Sequence, residues 1–329
     1  MNKKLIAVAV ASALAAPAVY ADITPYARIN NAIDINDNEF SDGNNVDISG
    51  ISSRFGFKGS GDIGNGMTAI GRYEFSTTTD KELNNVNDLR LGYVGLSGGF
   101  GTVTVGNQWS AYYNSIGTYM SPTYSLGYYL YSSISGAPFR ASNTIKYANS
   151  FGPVNLEIDV RLNDSDEGGD VAEKLNGNGY GIGLTWSPMD NFTLAFAADK
   201  DRDEDFVDDT GVLINPDDQE RAGVSGKYDF GPVALTVGYQ EYKEASDKRE
   251  NLQLYLSGPI GEKNTWLVGW GETKLKGGAF ETKPKQAFLG FYHNMGGGLR
   301  LYTEYADVDY DDDARDNTKR WLLGARIDF

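Results

Sequence analysis

The sequence predicts an all-β protein, a sixteen-stranded antiparallel transmembrane β-barrel. Three observations carry that expectation. After residue 21, apolar and polar side chains alternate with period two rather than 3.6. About sixteen such segments can be counted, an even number of roughly ten-residue stretches. The connections between them alternate between short and long, as they must when all turns of one kind lie on one side of a membrane. The composition agrees through what it excludes. The 329 residues contain no Cys and one His, so thiol catalysis, disulfides and Cys-ligated zinc are ruled out. A net charge of −16 argues against nucleic acid as a partner. The mean hydropathy of −0.41, with no 18-residue apolar run beyond the N-terminus, excludes a bundle of membrane helices.

In chain order, residues 1–21 read as a secretory signal peptide. Lys3 and Lys4 give the positive start, Leu5 to Leu14 the apolar stretch, and Val19-Tyr20-Ala21 the small-residue cleavage pattern. Residues 22–329 form the barrel domain. Strands are expected near 23–36, 47–58, 66–78, 87–97, 100–107, 140–149, 153–163, 178–187, 191–200, 220–229, 232–242, 250–257, 264–273, 284–293, 298–307 and 318–329. In one of them Leu156, Ile158, Val160 and Leu162 alternate with Glu157, Asp159 and Arg161. In the last, Trp321, Leu323, Ala325, Ile327 and Phe329 alternate with Arg320, Leu322, Gly324, Arg326 and Asp328. A soluble sandwich also alternates, but it has no reason to sort its loops by side.

Short turns are expected at Gly59–Asp62, Ser97–Gly99, Ser150–Pro153, Ser187–Asp190, Asp229–Pro232, Ser257–Pro259 and Asn294–Gly297. Long polar loops are expected near 37–46, 79–86, 108–139, 164–177, 201–219, 243–249, 274–283 and 308–317. In hydrocarbon every backbone N–H and C=O must be paired, which strands achieve only by closing on themselves. Sixteen strands enclose a lumen too wide for side chains to fill. Aromatic residues near strand ends suit interfacial girdles: Tyr26, Phe55, Phe57, Tyr73, Phe75, Tyr93, Trp186, Trp266, Trp270, Trp321 and Phe329.

Several stretches carry a resemblance to a known family. They are Ser53-Arg54-Phe55-Gly56-Phe57-Lys58-Gly59, Asp62-Ile63-Gly64-Asn65-Gly66, Leu91-Gly92-Tyr93-Val94-Gly95-Leu96, Phe100–Gly106, and the end Gly324-Ala325-Arg326-Ile327-Asp328-Phe329. Over its whole length beyond residue 21 the chain resembles the Gram-negative trimeric general porins. The resemblance implies a water-filled channel in the cell outer membrane of a Gram-negative bacterium, passing small hydrophilic solutes and ions passively. It also implies short periplasmic turns, long extracellular loops, and a third loop folded into the barrel. The implied partners are two further copies of the chain, outer-membrane lipid and lipopolysaccharide, and the outer-membrane insertion machinery. Ile327 and Phe329 resemble the family's insertion signal, although Leu322 stands where a polar residue is usual.

Strand phase then assigns the lumen. If Phe55, Phe57, Tyr73, Phe75, Leu89, Leu91 and Ile145 face lipid, a basic wall of Arg28, Arg54, Arg72, Arg90, Arg140, Lys146 and Arg326 faces inward, with Arg320 beside it. A charged side chain on the lipid face would cost roughly 2–4 kcal/mol at mid-membrane. Glu74, Glu157, Asp159 and Glu304 would be the inward acids. The third loop departs from the family pattern, for residues 108–139 contain no Asp, Glu, Lys or Arg. Instead the loop offers Trp109, Tyr112, Tyr113, Tyr119 and Tyr124, followed by Tyr128, Tyr129, Tyr131 and Phe139. These rings either pack the loop against the wall or form a stacking track for sugars, which would make the channel sugar-selective. An uncharged loop opposite arginines favours anions at the narrowest section. Against that, the stretch 199–220 is crowded with acids, from Asp199 and Asp201 through Asp217, Asp218 and Glu220, and such a mouth enriches cations.

Enzymatic readings find little. His293 has no Gly-x-Ser-x-Gly elbow. Glu157 and Asp159, about 6.5–7 Å apart by strand rise, are an ordinary lumenal pair. Asp199, Asp201, Asp203 and Asp205 lack the Gly and terminal Glu of a calcium loop. No enzyme and no cofactor are expected.

Overall fold

The computed structural model describes residues 22–38, 45–79, 89–128, 131, 139–162, 177–201, 206–207, 213–214, 218–277, 282–311 and 317–329. The expected signal peptide lies outside them, as do Asp203, Glu204, Asp205, Asp208, Asp209 and Asp217. Sixteen antiparallel strands make one closed sheet. In order they are β1 (Asp22–Asn38), β2 in two pieces (Asn45–Gly50 and Arg54–Gly64), β3 (Met67–Ser76), β4 (Leu89–Gly98), β5 (Gly101–Trp109), β6 (Arg140–Phe151), β7 (Val154–Leu162) and β8 (Gly177–Met189). There follow β9 (Phe192–Asp201), β10 (Gln219–Asp229), β11 (Ala234–Glu244), β12 (Asp247–Ile260), β13 (Asn264–Lys276), β14 (Lys285–Gly296), β15 (Leu299–Asp309) and β16 (Thr318–Asp328). Each pairs with its sequence neighbour. β1 closes the barrel on β16, in register from Arg28 opposite Asp328 to Asn38 opposite Thr318.

The barrel is inverted relative to a soluble core. Ile29, Phe57, Tyr73, Val105, Ile145, Phe196, Leu254, Leu289 and Leu323 are exposed on its outside, whereas Thr144, Gln240, Asn251, Gln253, Gln286 and Glu304 are buried within. That inversion is what a hydrocarbon solvent outside and water inside select.

Four features differ from the sequence reading, each for a local reason. The Gly59–Asp62 stretch is strand, paired with β1 and β3. The first turn comes later, at Asn65 and Gly66, whose φ angles of 55° and 73° suit Asn and Gly. Ser257, Gly258 and Pro259 likewise pair with β13, and the turn follows Ile260. Residues 243–249 are no long loop, because Glu244 pairs directly with Asp247 across a two-residue turn. Finally, Leu91 faces inward and is fully buried. The register between β3 and β4 shifts between Glu74 and Phe75, which sit opposite Leu91 and Leu89. The bulged residue Arg90 therefore breaks the alternation. Two girdle candidates are also lumenal. Tyr26 donates a hydrogen bond to Glu74, and Tyr93 stands opposite Arg72.

Candidate functional site: an arginine-walled constriction

The third loop leaves β5 at Trp109 and crosses the lumen. A short helical stretch, Tyr113–Gly117 continuing as Thr118–Met120, lies against β8 to β11. A second turn, Leu126–Tyr128, reaches β14 and β15. The loop brings backbone donors and acceptors into the barrel, and wall side chains answer them. The Ala111 N–H donates to Asp159 Oδ2 at 2.6 Å, and Asn114 donates to Glu157 Oε2 at 2.7 Å. The Tyr112 hydroxyl donates to Gln240 at 3.1 Å. Gln253 donates to the Met120 carbonyl at 3.2 Å and Gln286 to that of Leu126 at 2.6 Å. At the far end, Glu304 accepts the N–H groups of Tyr124, Ser125 and Leu126 at 2.6, 3.0 and 3.0 Å, and the Tyr292 hydroxyl at 2.8 Å.

Beneath the helical stretch lies a buried charge clamp. Arg161 pairs with Asp159, Asp199 and Asp201, and Arg221 with Asp199 and Asp201. Asp199 and Asp201, grouped with a loop mouth on sequence grounds, are therefore lumenal strand residues of β9. Removing one member of such a network leaves a charge uncompensated, at a cost of about 3–5 kcal/mol.

On the opposite side, a cavity of about 640 Å³ is bordered by Arg28, Arg54, Arg90, Arg140, Arg320 and Arg326. Its other side is formed by Trp109, Tyr113, Ser121, Thr123, Tyr124, Ser125 and Phe139. Carboxylates lie behind the arginines rather than on the cavity. Glu74, 1% exposed, holds Arg72 at 2.7 Å, Arg90 at 2.9 Å and Arg54 at 3.7 Å. Asp328 holds Arg28 at 2.6 Å and Arg326 at 2.8 Å, and Asp34 holds Arg320. Five of the six cavity arginines, together with Arg72 and Arg300, thus share three carboxylates among the described residues. Ser121 and Tyr124 also border a second cavity, of about 510 Å³, beside the Glu262–Lys263 turn. The loop's tip therefore stands between two parts of the lumen.

The aromatic residues mostly face one another or a guanidinium. Trp109 stacks on Tyr113 with centroids 4.7 Å apart, and the guanidiniums of Arg140 and Arg90 lie 5.4 and 5.9 Å from its ring. Arg326 lies 4.5 Å over Tyr124, whose edges meet Tyr292 and Tyr302. Tyr112 and Tyr131 are buried. Burial raises the Tyr113 hydroxyl above its ordinary range although arginines oppose it. Tyr119 is half-buried against the same cluster and borders a third cavity, of about 590 Å³. The rings of Tyr112 and Tyr131 are thus covered, as packing requires, while Trp109, Tyr113 and Tyr124 stay partly exposed on the first cavity.

Of the expected basic wall, Arg28, Arg54, Arg90, Arg140 and Arg326 meet at the first cavity, joined by Arg320. Arg72 and Lys146 stand off it. Arg72 bridges Tyr26 and Glu74, and Lys146 bridges Glu157 and the Trp109 carbonyl. Of the expected acids, Glu157 keeps some exposure, but Glu74 and Asp159, at 1% and 0%, are covered by their partners. Sequence reasoning missed the Arg221 clamp and the anchoring role of Glu304. The inward phase of Glu304 was visible, but its partners in the loop lie 178 to 180 residues away. His293, near the end of β14, meets Asn264 Oδ1 at 2.7 Å. Among the described residues no group of three or more acidic or His side chains could hold a metal ion.

A closed sixteen-stranded barrel with an inserted loop and a charged constriction defines a membrane channel. The family described as Gram-negative porin matches residues 6–313, and the chain belongs to it. Outer membrane protein S2 of Salmonella typhi is 25% identical over 346 residues, covering 94% of this chain and 88% of that protein. An anion-selective porin from Comamonas acidovorans superposes with a TM-score of 0.78 at 18% identity, covering 94% and 100%. OmpT of Vibrio cholerae, in its in-vitro folded trimer form, gives 0.69 at 14%, covering 94% and 99%. The protein is an outer-membrane porin, a channel for passive diffusion.

Proposed function

We propose that the channel favours anions at its constriction, works as a homotrimer, and is exported with residues 1–21 removed. The observation that supports the anion preference is the lining of the 640 Å³ cavity: six arginines and, among the described residues, no carboxylate, with a facing loop without charge. A permeating cation meets repulsion there with no compensating acid, whereas an anion exchanges its hydration for guanidinium donors. The fold shared with the Comamonas anion-selective porin is consistent with this reading. The trimer form of the Vibrio protein supports three copies, each with its own pore. The outward apolar face suits lipid and lipopolysaccharide, and Ile327 and Phe329 would serve the insertion machinery. No reaction is catalysed; the wall and loop set size and charge limits.

The test is the reversal potential of purified protein in a planar bilayer under a KCl gradient. A potential on the chloride side, with conductance steps in threes, is the expected result. A potential on the potassium side would overturn the anion reading, and solitary steps would overturn the trimer.

A further inference from the structure

Arg54 differs from the other arginines of the wall. Arg28 donates through Nε to Asp328 at 2.6 Å, and Arg90 to Glu74 at 2.9 Å. Arg54 has a side chain only 17% exposed, and its carboxylate partner among the described residues is Glu74 at 3.7 Å. That is an ion pair but lies beyond hydrogen-bond length. It borders the cavity and lies within electrostatic reach of three like charges, Arg28, Arg90 and Arg326. A largely desolvated guanidinium carries five N–H donors, and leaving such donors without acceptors is unfavourable. Crowded like charges are relieved most by a counter-ion of more than one charge.

From this we infer that Arg54, flanked by Arg28 and Arg326, is the centre of a binding subsite for a phosphate monoester dianion. The planar guanidinium fork matches two oxygens of a phosphate, and a monoester carries close to two negative charges at neutral pH. Across the cavity stand hydroxyl groups without charge, on Ser121, Thr123 and Ser125. They suit the neutral polyol part of a sugar phosphate. A volume of about 640 Å³ falls within the range of roughly 300–1,000 Å³ common for small-molecule sites. The subsite deepens the anion-favouring reading and rests on it.

The experiment records single-channel current in dilute KCl while glucose 6-phosphate, inorganic phosphate or glucose is added to one side. Brief, concentration-dependent blocks by both phosphates, and none by glucose at equal concentration, are expected. Arg54→Gln should raise the half-blocking concentration roughly tenfold or more, the loss expected for hydrogen bonds to a charged group. Arg54→Lys keeps the charge, yet it should also weaken the block, because an ammonium lacks the fork. An absence of phosphate block in a channel whose reversal potential is anionic would overturn the subsite alone. Equal block of wild type and Arg54→Gln would do the same. A cationic reversal potential would instead remove the reading beneath it. Should the variants form no channels, the contrast between glucose 6-phosphate and glucose on the wild type decides the matter.

Discussion

A single carboxylate determines where one end of the constriction loop sits. Glu304 accepts three consecutive backbone N–H groups from the loop and a tyrosine hydroxyl from the wall. Those amides have no competing acceptor in a turn, so the carboxylate both satisfies and locates them. Glu304→Gln leaves one acceptor oxygen and turns an NH₂ group toward donors. At least one bond to a charged group is lost, worth about 1.5–3 kcal/mol. The expected result is larger, noisier single-channel steps, with heat-modifiable migration in detergent unchanged because the strand ladders are untouched. Trp109 acts differently, as a plate that fixes Arg90 and Arg140. Cation–π contacts of this kind contribute about 0.5–2 kcal/mol each. Trp109→Leu removes no charge, yet it should shift the reversal potential toward zero, and Trp109→Phe should restore most of the shift. Unaltered selectivity in Trp109→Leu would show that the arginines hold their places without it.

At the scale of elements, the loop lies where the wall is smooth. A Cβ on Gly223 of β10 would come within 2.9 Å of the Tyr112 hydroxyl and 3.0 Å of Ile116, and one on Gly238 of β11 within 2.8 Å of Met120. Ala195 and Ala197 of β9 are buried in the same cluster. Gly223→Val should therefore lift the helical stretch off its bed while β10 keeps its pairing. Conductance should change, with little loss of heat resistance in detergent, and an unchanged step size would contradict the account. The same elements show what a sequence can and cannot convey. Period two located all sixteen strands and the inward phase of Arg28, Arg54 and Arg326, because alternation is a local property of the chain. It failed at Leu91, where the bulged Arg90 inverts the phase, since nothing within β4 marks a bulge set by its pairing with β3. It also failed at Asp199 and Asp201. Acids beside an acidic loop look solvated, and the arginines that hold them are 38 to 40 and 20 to 22 residues distant.

For the whole molecule, two opposing fields are in series. The chain carries −16 overall, while its constriction carries six cavity-lining arginines. An exposed charge acts over about a Debye length, roughly 10 Å at 0.1 M salt and 3 Å at 1 M. Acids on the wide outer surface are screened accordingly, and they alter only the concentration of ions arriving. The arginines act inside a low-dielectric wall beside the inserted loop, where screening is weakest. The narrow section therefore sets the sign of selectivity and the surface adjusts its size. Raising the KCl concentration at a fixed gradient ratio should first increase the anion preference, as the acidic surface is screened before the constriction. Replacing Arg54, Arg90 and Arg140 together by Gln removes half of the lining arginines and leaves Glu74 with Arg72 and the Tyr26 hydroxyl. The reversal potential of that variant should cross to the cation side, most strongly in dilute salt, while the protein still migrates as a folded barrel before heating. An anion preference that survived all three replacements would place the selectivity at Arg28, Arg320 and Arg326, where the last strand closes on the first.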